Sequence, residues 1–427
     1  MGEMLDRILA LFRKQELGEI DLSLNTNVCM LPFVHFHVTQ HGNVTPCCQA
    51  PWDEPLAAIA DGSILDIWNA NSFLKIRMEM LKGNKPPVCR RCYEKEESGW
   101  TSLRQVSNSK YAHHVDLLKQ AFEEQGTVKV KPVYFDIRFS NVCNLKCRIC
   151  GPWASSKWFE DAFEMGMADR KNQTIERPVQ DTKQLLVQIE ELIDGVEEFY
   201  FAGGEPLMME EHYAILDLLI RKGKTDVQLT YNTNFSTLKY KGQNILDLWN
   251  QFSKIDVALS LDGYGERLEY MRNPIKWPTV LGNLQQLKKV CPNVNITISP
   301  TVSVFNVLHL PEFHRKLVNE KWVPVEGLIP TVLIDPSYYS IRILPVHLQK
   351  KADEIYQEHL KWIVQQPHSD NQKYGHMVKQ FESILTHLAS KKGEDQLPVF
   401  KQKIEQLDGI RSENFKSVFP ELAELVH

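Results

Sequence analysis

Three cysteines stand within one short stretch, Cys143, Cys147 and Cys150, spaced CxxxCxxC. Thiolates are soft ligands, and three of them this close suit an iron–sulfur cluster. A [4Fe–4S] cluster held by three protein ligands keeps one iron open to a substrate or cofactor. A second cysteine group lies upstream: Cys29, then Cys47 and Cys48, then Cys89-Arg90-Arg91-Cys92. It offers more thiols than the four that a tetrahedral metal site needs. In a cytosolic chain such clusters are more often metal ligands than disulfides. Cys291 stands alone before Pro292 and reads as a thiol without a role.

These residues need elements to position them. His35 and its neighbours alternate in strand fashion, His41-Gly42-Asn43 reads as a turn, and Val44-Thr45 as the returning strand. A β-hairpin there folds its ends together, so Cys29 and Cys47 can share one site. Residues 131–335 alternate strand and helix patterns, the signature of βα units around a parallel sheet. Strand candidates are Val133–Phe139, Val196–Ala202, Val227–Asn232, Ile255–Leu261, Val294–Thr301 and Gly327–Leu333. In parallel barrels chemistry sits at the C-terminal strand ends. The motifs fall there: CxxxCxxC after the first strand, Gly203-Gly204-Glu205-Pro206 after the second, Asn234 after the third, Ser260 and Asp262 at the fourth. Helical patterns over His347–Gln366, Val378–Lys391 and Val399–Leu407 read as helices that close the barrel side or cover its mouth.

The chain has 427 residues and a net charge of −5, with no long block of one sign. That argues against a general nucleic-acid binder, which carries a basic face. No apolar run reaches the 18 or more residues of a membrane span. The first twenty residues mix acids and bases through an amphipathic pattern, unlike a secretory signal. The expectation is a cytoplasmic protein in an oxygen-poor or protected setting.

Together, CxxxCxxC and the Gly203-Gly204-Glu205 segment resemble the radical S-adenosylmethionine (SAM) enzymes. The upstream unit resembles their Twitch/SPASM auxiliary-cluster modules, through Cys29, Gly42-x-Val44-x-Pro46-Cys47, Ile64 to Trp68, Arg77 and Cys89-x-x-Cys92. The resemblance implies an α/β fold: a partial (βα)6 TIM-type barrel, a small N-terminal α+β auxiliary-cluster domain and a helical C-terminal region. The expected divisions are an N-terminal helix at 1–26, the auxiliary domain and linker at 27–130, the barrel at 131–335 and the helical region at 336–427.

The resemblance further implies two [4Fe–4S] clusters and SAM as cofactors. The SAM-binding cluster falls on Cys143, Cys147 and Cys150, the auxiliary cluster on Cys29, Cys47, Cys89 and Cys92, with Cys48 a spare or alternative ligand. SAM contacts fall to Ile149 beside the adenine, Gly203 and Gly204 along the methionine part, Glu205 at its ammonium, Ser260 at ribose or methionine, and Arg272 at its carboxylate. The implied activity is reductive SAM cleavage to a 5′-deoxyadenosyl radical that takes hydrogen from a peptide or a small metabolite. An electron donor such as flavodoxin or ferredoxin is the expected partner.

Competing readings remain at this point. The upstream cysteines could hold structural zinc. His35, His37 and His41 could be ligands or strand and turn residues. Asp136 and Arg138 share one strand face and either reach the substrate cavity or pair with each other. Arg272 could be a surface salt bridge. A non-catalytic iron–sulfur electron-transfer or scaffold protein would keep the cysteines. It would not need Gly203, Gly204, Glu205, Ser260 and Arg272 together. No hydrogen-donating catalytic residue can be chosen.

Overall fold

The computed structural model describes Leu22 and residues 26–97, 101–169, 171, 173–390 and 393–427. The helix expected over 1–26 lies outside the described residues, Leu22 and Thr26 apart. The chain forms two compact units, one of residues 1–140, 176–202 and 210–229, the other of 141–175, 203–209 and 230–427.

The first unit is built on a sheet with strand order β3-β2-β1-β4-β5. Its strands are β1 (His35–Val38), β2 (Asn43–Thr45), β3 (Ala57–Ala58), β4 (Tyr134–Ile137) and β5 (Glu198–Phe201). The expected hairpin is β1–β2, antiparallel, with Gly42 in its turn at φ 83°. Beyond the expectation, β1 pairs in parallel with β4, placing His37 opposite Asp136, and β4 pairs in parallel with β5. Side chains alternate across a sheet. One face carries Phe36, Phe135 and Phe199, with ring centroids 6.2 and 5.4 Å apart along the file. The other carries His35, His37, Tyr134, Asp136, Glu198 and Tyr200.

Arg77, on helix Asn71–Leu81, ties this unit together. Its guanidinium is fully buried and donates to the carbonyls of Pro32, Trp68 and Gly126 at 2.7, 2.8 and 3.1 Å and to Asn69 Oδ1 at 2.9 Å. It also stacks over the Trp68 ring at 4.4 Å. Burial pushes its pKa down to about 9, still above neutrality. Helices Thr182–Leu192 and Glu210–Arg221 complete the unit.

The second unit contains β6 (Gln228–Thr233, from Thr230 on), β7 (Lys239–Tyr240), β8 (Gln243–Asn244), β9 (Ile255–Leu259), β10 (Asn295–Ile298), β11 (Thr301–Val302) and β12 (Thr331–Val332). Its strand order runs β6-β9-β10, with β9 and β10 parallel. The β11–β12 pair is parallel and the β7–β8 pair antiparallel. Between them run helices Gly265–Met271, Trp277–Val290 and Leu310–Asn319. The sixth expected strand is shorter than the Gly327–Leu333 pattern suggested. Only Thr331–Val332 form a strand, and Leu328 makes a single bridge to Ile298. Pro330 interrupts the run, since it has no N–H to donate to a ladder. The C-terminal region is helical over Val346–Val364, Asn371–Ala389 and Leu397–Arg411, as the periodicity predicts. Parallel strands alternating with helices make this an α/β fold of the partial barrel type.

Candidate active site and auxiliary metal centre

In the second unit the CxxxCxxC loop begins at Asn141, whose Nδ2 donates to the Pro152 carbonyl at 3.2 Å. Lys146 N donates to Asn273 O at 2.7 Å and Arg148 N to Met271 O at 2.8 Å. The loop is thus laced to the segment that carries Arg272. Trp158 Nε1 donates to Cys147 O at 2.8 Å, and Ser155 Oγ to Leu145 O at 2.5 Å. Trp158, itself buried, thus holds the loop.

Arg272 is buried, not a surface residue. It forms a bidentate pair with Asp262, Nε to Oδ2 at 2.7 Å and Nη2 to Oδ1 at 2.9 Å. The planar fork of arginine matches a carboxylate in this way. Its remaining Nη1 lies 3.8 Å from Cys147 Sγ. The Cys147 thiol is pulled down by its hydrogen bond with Cys150 and then by the Arg272 charge. The same bond and burial push Cys150 up. Burial pushes Cys143 up to about 12. Asp262 is itself fixed, accepting from Thr301 N at 2.8 Å, while Asn306 Nδ2 donates to its carbonyl at 3.0 Å.

Gly203 and Gly204 both have positive φ, 82° and 52°, where a side chain would be strained. They deliver Glu205 into a fully enclosed position. Its amide donates to Val142 O at 2.9 Å, one residue before Cys143. Its Oε1 accepts from Thr233 Oγ1 at 2.6 Å and Leu207 N at 3.1 Å, and its Oε2 from Asn234 N at 2.8 Å. Burial raises its pKa to about 7 against the pull of those three bonds. A carboxylate oxygen has two lone pairs, so Oε2 can take one further donor. Asn234 Nδ2 in turn lies 4.0 Å from Cys143 Sγ and donates to Asn144 Oδ1 at 3.0 Å. Ser260 is half-buried, its amide bound to Thr233 O at 2.8 Å, and Ile149 is half-buried within the cysteine loop. The second unit thus holds all six expected SAM contacts, the three cysteines and Asp262 and Asn234.

Arg148 escaped sequence reasoning. It is buried, and its Nη2 donates to Asp408 Oδ1 and to Glu413 Oε2. The only sequence signal was a charged residue between two cluster-type cysteines.

In the first unit, Cys29, Cys47, Cys89 and Cys92 line one cavity together with Leu31, Val88 and Leu103. Cys29 precedes helix Leu31–Val34, Cys47 follows β2, and Cys89 and Cys92 sit one turn apart where a 3-10 turn enters helix Arg90–Glu97. Four thiols around an apolar cavity fit a cluster with four cysteine ligands. Burial pushes the Cys29, Cys47 and Cys89 thiols up, so a cluster would have to displace their protons. Cys48 does not line the cavity. It is exposed, near Asp136 and Arg138 on the sheet face. His35 and His37 are strand residues. His37 Nδ1 hydrogen-bonds with Thr45 Oγ1 at 2.7 Å, and His35 stacks on Tyr134 at 4.1 Å. Asp136 and Arg138 pair with each other at 2.6 Å.

The family model described as the radical SAM superfamily matches residues 137–313. The model described as an iron–sulfur cluster-binding domain, SPASM, matches residues 29–93. The search of curated proteins finds no match. Among solved structures, native anSMEcpe with bound AdoMet and Cp18Cys peptide is 18% identical, over 52% of this chain and 57% of its own, at a TM-score of 0.37. Streptococcus suis SuiB bound to precursor peptide SuiA is 14% identical, over 70% of this chain and 62% of its own, at a TM-score of 0.35. The chain thus spans less than two thirds of either structure's length. By these two matches, the chain carries a radical SAM domain at residues 137–313 and, ahead of it, an iron–sulfur cluster-binding SPASM domain at residues 29–93.

Proposed function

We propose that the chain cleaves SAM reductively and that the resulting radical takes a hydrogen atom from a peptide or a small metabolite. The ligands assigned to the SAM-binding cluster are Cys143, Cys147 and Cys150. A cluster held by these three thiolates would supply the single electron that reductive SAM cleavage needs. The protein's own part is orientation and exclusion of water. Glu205 offers its remaining Oε2 lone pair to the substrate ammonium, and the positive φ at Gly203 and Gly204 lets backbone approach the methionine part. Arg272 keeps Nη1 available after pairing with Asp262, beside the thiol of Cys147. Ile149 and Ser260 are assigned to adenine and ribose.

The observation that carries this reading is the convergence on the cysteine loop of an anchored, buried Glu205 and an Arg272 already locked by Asp262. An electron carrier or scaffold has no use for that pair. Cys29, Cys47, Cys89 and Cys92 are assigned to the auxiliary cluster. A low-potential flavodoxin or ferredoxin is the proposed electron donor. No described helix is long and apolar enough to cross a membrane, and we place the chemistry in a reducing cytoplasm. The test is anaerobic reconstitution followed by reduction with SAM present. About eight irons per chain, from two four-iron clusters, and accumulation of 5′-deoxyadenosine are expected. Iron near eight without cleavage under any reductant would return the chain to the electron-transfer reading.

A further inference from the structure

We propose that the C-terminal segment 397–413 is a positioning element for the cluster-binding loop, which it grips through Arg148, Lys146 and Trp158. The inference rests on the assignment of Cys143, Cys147 and Cys150 as cluster ligands.

The grip has two arms. In the first, the buried Arg148 guanidinium lies 3.7 Å over the Tyr270 ring and donates from Nη2 to both Asp408 and Glu413, 260 and 265 residues away in sequence. Asp408 also accepts from Tyr270 OH at 2.8 Å and from Phe415 N at 2.6 Å. Glu413 also accepts from Asn273 Nδ2 at 2.6 Å. These two carboxylates therefore hold the loop and, at Tyr270 and Asn273, both flanks of Arg272. In the second arm, Arg411 donates to Asp161 Oδ2 at 2.6 Å, and Asp161 Oδ1 accepts from Lys146 Nζ at 2.7 Å. The Arg411 guanidinium stands 4.8 Å from the Trp158 ring, and Trp158 donates to the carbonyl of Cys147.

Local structure explains how one segment supplies both arms. Asp408 and Arg411 lie three residues apart on helix Leu397–Arg411 and so share a face. Ser412 ends that helix in the left-handed region at φ 52°, which turns Glu413 back toward Arg148. The charges balance: Lys146, Arg148 and Arg411 against Asp161, Asp408 and Glu413. A buried charge left without its partners is strongly unfavourable, so removing the two carboxylates must release or move Arg148. Outer partners of metal ligands set ligand orientation and potential. Arg148 adjoins Cys147 in the chain, so the effect falls on that cluster.

The test compares full-length wild type with D408N/E413Q, Y270F and, as a control, E405Q. Glu405 is on the same helix but is exposed and, among the described residues, pairs only with Lys401, at 4.0 Å. Each protein is reconstituted anaerobically. Iron content, the midpoint potential of each cluster, and the electron paramagnetic resonance of the reduced protein are measured across a SAM titration. D408N/E413Q should keep about eight irons and the wild-type auxiliary potential. Its SAM-binding cluster should shift to higher potential, because two anionic neighbours are gone. The SAM concentration giving the half-maximal spectral change should rise by about tenfold, an order-of-magnitude figure for a displaced outer partner. Y270F should move both readouts in the same direction by less, and E405Q should move neither. Wild-type potential and wild-type SAM dependence in D408N/E413Q overturn the proposal. If that double variant does not fold, Y270F decides: a shift supports the grip and none overturns it. If the wild type itself shows no response to SAM, the SAM-cleavage reading falls, and the potential shift alone still decides the positioning role.

Discussion

Arg272 shows how much one side chain can be committed before any cofactor arrives. Two of its nitrogens are bound to Asp262, and the third approaches Cys147 Sγ. Lysine would keep the charge and lose the fork. Arg272→Lys should therefore retain both clusters by iron analysis, while the SAM concentration for half-maximal 5′-deoxyadenosine formation rises at least about tenfold, the equivalent of about 1.4 kcal/mol. An unchanged SAM dependence would remove Arg272 from the contact set. The cysteines allow an equally sharp division. Because Cys47 lines the four-thiol cavity and Cys48 does not, Cys48→Ala should reconstitute with full iron and Cys47→Ala should fall toward about four irons per chain. Equal losses in both would mean that Cys48 is the ligand or shares the role.

At the scale of elements, the first unit depends on buried groups whose protonation is fixed by their surroundings. His212, on helix Glu210–Arg221, is completely buried against Phe201 at 4.6 Å, and burial pushes its pKa from 6.5 to about 3. His35 and His37 are pushed down to about 3 for the same reason. Below pH about 6.5 the unfolded chain binds protons that the native chain refuses. Stability must therefore fall on acidification, by about 1.4 kcal/mol per pH unit for each such histidine until its native pKa is reached. His212→Phe should flatten that slope between pH 6 and pH 4, read by denaturant unfolding at each pH; a slope identical to wild type would contradict it. Arg77 gives the complementary case. Arg77→Ala would leave three carbonyls and Asn69 without their donor, and should cost about 3–5 kcal/mol in the same measurement. A loss below about 1 kcal/mol would mean that water or neighbouring groups replace the guanidinium.

At the scale of the whole molecule, what could be read in advance was whatever depends on local pattern. The three-cysteine loop, the GGE turn, the hairpin and the C-terminal helices each lie in one short stretch, and their periodicity or spacing is visible there. What could not be read depends on pairing across long separations. Nothing in the hairpin says that β1 will lie alongside β4, because parallel register is set by tertiary packing. Nothing at Arg148 says that its partners are Asp408 and Glu413. Nothing at Arg272 says that it will be buried or that its partner is Asp262. The short β12 shows the opposite failure, a readable apolar pattern cut down by Pro330.

The central claim is that the cysteine loop, Glu205 and Arg272 form a SAM-cleaving site, distinct from the four-cysteine centre. The most direct measurement is 5′-deoxyadenosine formed per chain, with iron content, in reconstituted wild type and Cys147→Ala. Accumulating 5′-deoxyadenosine in wild type, with none in Cys147→Ala and about four irons kept there, is the predicted result. Iron near eight in wild type with no 5′-deoxyadenosine under any reductant, or loss of all iron in Cys147→Ala, would contradict it.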